Sequence, residues 1–202
     1  VNIHGGKRVE GVTLAQVDDN LQPISGSEQY IPCDLLLLSV GLVPENELSQ
    51  QLGVAMDAVT RGPVVDQCLH TNVDGVFACG NVVHVHDLVD YVTLESRRAA
   101  AGAARWLARR RRGGAIALKA VENTSYVVPQ RISLPVEEDV TLLLRVKKPL
   151  DRPEFIVCAG GEQILRRRRP VALPTEMVEI KVPANKVPNS GELEILCRGE
   201  ER

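Results

Sequence analysis

Aromatic residues make up only 3% of the 202-residue chain, so a stacking platform for bases or sugars would have to be built from very few rings. An excess of one charge is also missing: 24 Lys+Arg against 26 Asp+Glu leave a formal charge of −2. That balance gives no global field for nucleic acid or anionic lipid. No apolar run approaches the roughly 18 residues of a membrane span; the densest is Leu35 to Leu38, with Val40, Leu42 and Val43 beyond it. The first residues lack a basic segment followed by an apolar one, so no secretory signal is expected. The start at Val1 rather than Met leads us to expect a chain processed or cut from something longer. The five cysteines (Cys33, Cys68, Cys79, Cys158, Cys197) contain no C-x-x-C pair. Their odd count fits a reduced, cytoplasmic setting better than a disulfide framework. With 44% hydrophobic and 25% charged residues, the composition is that of a soluble globular protein whose core is Val, Leu, Ile and Ala.

The first 45 residues read as strands. Arg8 to Val17 alternates, and Asp18-Asp19-Asn20 supplies a turn. Cys33 to Gly41 is a nearly continuous apolar run ended by Gly, which suits a strand buried on both faces. Glu45 to Leu52 reads as a short helical turn that Asn46 can cap. A second strand cluster covers Gly62 to Cys79, in which Gly75-Val76-Phe77-Ala78-Cys79-Gly80 reads as a buried strand ending in Gly. Asp90 to Arg112 is the one strong helix, rich in Ala, Leu and Arg, with Gly113-Gly114 after it. Its run Arg109 to Arg112 is either a basic docking patch or, more commonly, a solvated helix end stabilised by the dipole. From Val121 onward about seven extended pieces follow, centred on Tyr126–Val128, Arg131–Leu134, Val140–Lys147, Glu154–Cys158, Gln163–Arg168, Met177–Val182 and Leu193–Cys197. Seven short strands in about 80 residues point to a small antiparallel β-sandwich with its own core. Alternation along Arg166 to Arg169 makes that run an exposed edge resisting edge-to-edge pairing rather than a basic groove.

The segment richest in chemistry is Asp66 through Asp90. An apolar strand ending in Gly80 and then Asn81 offers close backbone approach and a hydroxyl-binding amide at a strand's C-terminal edge. The helix from about Asp90 turns unsatisfied amides and partial positive charge toward the same place. That combination suits an acceptor that becomes more electron-rich during reaction.

Thr71…Gly75-Val76-Phe77-Ala78-Cys79-Gly80-Asn81 resembles the second flavin-binding motif of the two-dinucleotide-domain FAD/NAD(P) oxidoreductases, the thioredoxin reductase and pyridine nucleotide-disulfide oxidoreductase superfamily. Cys33 to Pro44 is similar to the strand and Gly-x-x-Pro crossover that leaves the NAD(P) domain of that superfamily. The run Gly80 to Asp90 resembles a branch of FAD-dependent oxidoreductases associated with glycerol 3-phosphate dehydrogenase-like proteins. The resemblance, which covers about residues 8 to 108, implies a partial FAD/NAD(P)-binding Rossmann-like region, so that with the strand pattern of the tail the expected fold class is α/β followed by an all-β, sandwich-like C-terminal domain. It implies residues 1–44 as the end of an NAD(P)-binding domain and 45–114 as the C-terminal half of an FAD-binding domain, and the strand pattern gives 120–202 as the β-sandwich-like domain. FAD and NAD(P) are the implied cofactors. Gly80 and Asn81 are implied at the ribityl chain, with backbone N–H groups of Val89 and Asp90 at the pyrimidine edge of the flavin. Most of the superfamily carries Asp where this chain has Asn81, so the hydroxyl contact would be neutral.

No Gly-x-Gly-x-x-Gly turn occurs in the chain, although each dinucleotide of such an enzyme requires one for its pyrophosphate. The expectation is therefore the C-terminal portion of an FAD-dependent, NAD(P)-linked oxidoreductase, colourless and inactive as an isolated chain. Its partners would be the missing N-terminal part or a partner subunit and a small-molecule or protein redox substrate, with a homo-oligomer possible; no nucleic acid partner and no membrane span are expected. The alternative is a non-catalytic interaction module, a β-sandwich plus helix docking an oxidoreductase subunit or electron carrier. His84, His86, Asp87 and Asp90 have residue types and spacing that could hold a metal, but the expectation is none. His84 or His86 is an acid–base candidate, with a structural His the commoner case. Cys79 reads as packing and Trp106 as a core anchor.

Overall fold

The computed structural model describes the chain except Asp19, Val40, Arg110 to Arg112 and Arg202, with Arg109 described in its backbone alone. Most of the Arg109–Arg112 run, and with it the helix end expected at Arg112, therefore lies outside the described residues. The described residues are mostly β-sheet with few helices, in two compact units, Val1–Gly41 and Leu42–Arg202.

In the first unit, β1 (Asn2–His4), β2 (Gly11–Leu14) and β3 (Gln29–Pro32) form an antiparallel three-stranded sheet in that order. Ile3 lies opposite Val12 and Val12 opposite Ile31. The apolar run after β3 corrects the expectation of a doubly buried strand. Residues 33–39 form no strand, and Leu37 is 83% exposed. A strand exists only where a neighbour takes its N–H and C=O groups, and no strand among the described residues pairs with this run.

The second unit begins with α1 (Glu47–Gln51). Asn46 precedes it without capping an amide; its Nδ2 instead donates to Val82 O at 2.7 Å and to Arg61 O at 3.3 Å. The expected buried strand Gly75–Gly80 is also corrected. It contributes one antiparallel bridge, His70 to Phe77, within a half-buried loop. Before residue 115 no two described strands pair in parallel. The helix α2 (Val89–Arg109) follows. Its inward face is Val92, Glu95, Ala99, Gly102 and Trp106, at helical spacing. A Cβ at Gly102 would fall 2.4 Å from Cys68 O, so glycine sets how closely α2 seats on that loop.

The remainder is a two-sheet sandwich. One sheet has the order β10 (Val171–Ala172), β8 (Leu150–Ala159), β12 (Glu192–Glu201), β4 (Ala115–Glu122) and β6 (Arg131–Ser133), with β9 (Glu162–Arg168) also on β8. The other is β11 (Val178–Val182), β7 (Val140–Val146) and β5 (Thr124–Val128). All pairs are antiparallel except β12 with β4, where Leu193 lies opposite Leu118 in a parallel ladder. Alternation drives the layers together: Val178, Ile180 and Val182 are buried while Glu179 and Lys181 are exposed. Phe155, Ile132 and Leu142 are among the side chains that fill the core. β4 is a strand that the sequence pattern had not revealed, and it spans the boundary expected at residue 120. At the edge, Arg166 and Arg168 both reach Glu154.

The sandwich is joined to what precedes it within this unit. Val65 N–H donates to the Gln130 side-chain oxygen at 3.0 Å, Arg131 donates to His70 O at 3.0 Å and Ser133 Oγ donates to Asp66 at 2.7 Å. Val65, Leu69, Val83 and Ala99 form a second core with Val128 of β5.

Candidate functional site

The loop before α2 is built around Gly80. Its φ of +74° lies in the left-handed region, and a Cβ there would stand 3.2 Å from Val92 Cγ1 in the first turn of α2. Glycine thus allows the short 3₁₀ turn Gly80–Val82 to lie against the start of the helix. Asn81 is exposed, and its Oδ1 accepts the His86 N–H at 3.1 Å. The amide oxygen is engaged within the loop, while the NH₂ end remains a donor. Val89 and Asp90 open α2 and are exposed, at the end of the helix whose first amides have no intrahelical acceptor. Of the four residues implied at a flavin, the structure brings Gly80 against the helix start and leaves Asn81, Val89 and Asp90 exposed.

Beneath this rim lies a polar cluster. Glu95 is buried; its Oε2 accepts the Gly80 N–H at 2.5 Å and lies 3.0 Å from His86 Nε2, while Oε1 lies 3.0 Å from His84 Nε2. Burial alone would raise the Glu95 carboxyl, but the hydrogen bonds from His84 and His86 outweigh it and hold the group at about 2. Burial lowers His84 in spite of Glu95, which favours the neutral ring. At neutral pH the cluster is therefore a carboxylate holding two imidazole N–H donors and one backbone amide. Of the residues considered for a metal, His84 and His86 meet here, joined by Glu95, while Asp87 and Asp90 do not. Glu95 was hidden because a single carboxylate on a helix ordinarily faces water. Its register with Ala99 and Gly102 was the available signal.

Asp87 is bound instead by the sandwich. Arg145 of β7 pairs with Asp87 Oδ1 and donates to Val85 O at 3.2 Å, and the Met177 N–H donates to Asp87 Oδ2 at 2.7 Å. The Arg145 Nε also donates to Tyr126 OH at 3.1 Å. The loop from His84 to Leu88 is thereby held from one side by α2 and from the other by β7.

The sequence pattern of the pyridine nucleotide-disulphide oxidoreductases matches residues 1–121. The chain belongs to that family. Its glutamate synthase [NADPH] small chain from Escherichia coli (strain K12) is 26% identical over 122 residues, covering 53% of this chain and 25% of the relative. Thioredoxin reductase from Listeria monocytogenes is 37% identical over 78 residues, 38% of this chain and 22% of that protein. The ferredoxin reductase component of chlorobenzene dioxygenase from Cupriavidus sp. (strain PS12) is 36% identical over 80 residues, 38% of this chain and 19% of that component. The chain thus spans about a quarter or less of these curated relatives. No solved structure matches it.

FAD and NAD(P)H are the cofactors of the pyridine nucleotide-disulphide oxidoreductases. The family match ends at residue 121, just inside the sandwich, so Arg145 and Met177 lie outside it. Nothing in the motif pointed to their hold on Asp87. Cys79 is half-buried, with its Sγ 3.6 Å from Ser96 Oγ. Trp106 Nε1 donates to Asp74 at 3.1 Å, which anchors α2 to the preceding loop. No described helix is long and apolar enough to cross a membrane.

Proposed function

We propose that this chain is the C-terminal portion of an FAD-dependent, NAD(P)-linked oxidoreductase and supplies the ribityl and pyrimidine contacts of the flavin. The observation that carries the reading is the left-handed Gly80 seated against the first turn of α2, with the Asn81 amide exposed beside it. These residues fit the group: a Cβ at Gly80 would crowd the loop, the Asn81 NH₂ can donate to a hydroxyl, and the Val89 and Asp90 amides can face an electron-rich ring edge. When bound, FAD supplies two-electron redox chemistry between a nicotinamide and a second substrate. The chain's own residues orient it. Glu95 fixes Gly80 through its N–H, the His86 N–H fixes Asn81, and Arg145 holds the loop that leads into α2.

The finer placement, in the branch associated with glycerol 3-phosphate dehydrogenase-like proteins, rests on the run Gly80 to Asp90. The exposed leucines after β3 support a partner that covers them, either the rest of the oxidoreductase or a partner subunit. Five unbridged cysteines support a cytoplasmic setting. The test is an FAD titration of the complete oxidoreductase. Asn81→Ala should weaken FAD by about 1–2 kcal/mol, the value of one hydrogen bond to an otherwise unsatisfied group, and Asn81→Asp should be tolerated. Unchanged affinity in the Ala variant would place Asn81 away from the cofactor and overturn the reading.

A further inference from the structure

We propose that His84, His86 and Glu95 form a binding site for one divalent metal ion of the zinc class, distinct from the flavin contacts. The three side chains come from two elements, the loop after Gly80 and the second turn of α2. Their ligand atoms all lie within 4.8 Å of one another, and the three side chains are 1–2% exposed. The two imidazoles sit with ring centroids 4.3 Å apart and send Nε2 to different oxygens of a single carboxylate.

A second observation concerns the far side of each ring. The Nδ1 atoms of both rings are buried and have no hydrogen-bond partner. A purely structural histidine in a core ordinarily uses both nitrogens, because a buried polar atom left unpaired is unfavourable. Here the Glu95 oxygens hold each proton on Nε2, and nothing among the described residues engages Nδ1 on the far side of either ring. Moving each ring proton from Nε2 to Nδ1 turns two lone pairs toward the Glu95 oxygens. No proton leaves the site in that exchange, and the metal takes the place of the two hydrogens.

The donor set selects the ion. Two imidazole nitrogens and one carboxylate suit zinc and its neighbours, whereas magnesium and calcium favour oxygen ligands throughout. As a ligand the Glu95 carboxylate brings one negative charge, which a divalent cation more than offsets. Three protein ligands leave a fourth position for water. The route in is a cavity of about 310 Å³ that His84 lines together with Thr60, Tyr126 and Arg145. Asp87, the nearest other acid in sequence, is taken by Arg145 and the Met177 N–H and does not compete.

The test uses the 202-residue chain stripped with a chelator and titrated with Zn²⁺, with Mg²⁺ as the control. Zinc should bind as one ion per chain and raise the melting temperature, and Mg²⁺ should do neither. Cobalt in its place should give the intense visible bands of a low-coordinate site. Nitrogen-15 spectra of the imidazole rings provide the readout that needs no variant. On zinc binding the His84 and His86 Nε2 signals should move from protonated to metal-bound, while His4 and His70 serve as internal standards. Glu95→Gln and His86→Gln should each weaken zinc by roughly a hundredfold, at the upper end of what losing even an outer-shell partner costs. His4→Gln should leave zinc binding unchanged. An unaltered melt with excess zinc, unmoved His84 and His86 signals, or a loss of binding in His4→Gln alone would each overturn the proposal. None of these readouts involves flavin, so their failure leaves the oxidoreductase reading standing.

Discussion

Replacing Glu95 by glutamine keeps the size of the side chain and removes its charge, which isolates what the buried carboxylate contributes. Its folded value of about 2 stands against an ordinary 4.5, a difference of roughly 2.5 pH units and hence about 3 kcal/mol. Because the folded value is depressed, that stability is fully present above about pH 4.5 and is lost as the pH falls through about 2. The glutamine retains one acceptor oxygen for the Gly80 N–H, so the expected deficit at pH 7 is about 2–3 kcal/mol. Trp106 is the single tryptophan and lies on α2, so its fluorescence during urea unfolding reports on the element that carries Glu95. Melts of wild type and Glu95→Gln, run with a chelator present, should differ by that amount at neutral pH. More than half of the difference should be gone by about pH 3, because unfolding then lets Glu95 take up a proton that the folded site still refuses. A deficit under about 0.5 kcal/mol at pH 7, or one that stays constant from pH 6 to pH 3, would refute the account of a charged carboxylate held by two imidazoles.

Arg145→Met keeps much of the side chain's length but releases Asp87 and Val85 O. Both partners are partly solvated, so the cost should be about 1–3 kcal/mol, with faster amide hydrogen exchange across residues 84–88; unchanged exchange there would mean that the sandwich does not hold the loop. A fragment of residues 120–202 lacks Ile116 and Leu118 and the β4 residues that pair with β6. It should sediment as aggregate or melt without cooperativity, while residues 42–202 should be soluble with a sharp transition.

The seven strands of the tail were legible because each is a short extended piece bounded by turn residues, and the clearest of them alternate between core and water. The stretch Val178-Glu179-Ile180-Lys181-Val182 states its own burial. α2 was legible from its composition, and the structure starts it at Val89, one residue before the expected Asp90. The apolar runs Leu35 to Leu38 and Val76 to Cys79 misled for one reason. Hydrophobic content shows that a segment needs covering, but strand geometry depends on a partner that the segment cannot name. β4 escaped notice because Ile116 and Leu118 alternate with alanines soon after an arginine run and Gly113-Gly114. At the candidate site, the left-handed turn at Gly80 was legible in the local motif, since a glycine after an apolar run is visible in a single residue. Glu95 and Arg145 act across 15 and 58 residues of sequence, and no local pattern connects them with the loop they hold.

The Met177 N–H that reaches Asp87 is 90 residues further along the chain. At ribosomal rates of about 5–20 residues per second, that separation amounts to roughly 5–20 s of synthesis. Until Arg145 is made the nascent loop around His84 has only α2 to hold it, and until Met177 is made Asp87 lacks its backbone donor. Val65 and Val83 likewise wait for Val128 to complete their core. Completion of the loop before α2 is therefore scheduled by translation of the sandwich: the loop gains its last backbone hydrogen bond only once Met177 has been made.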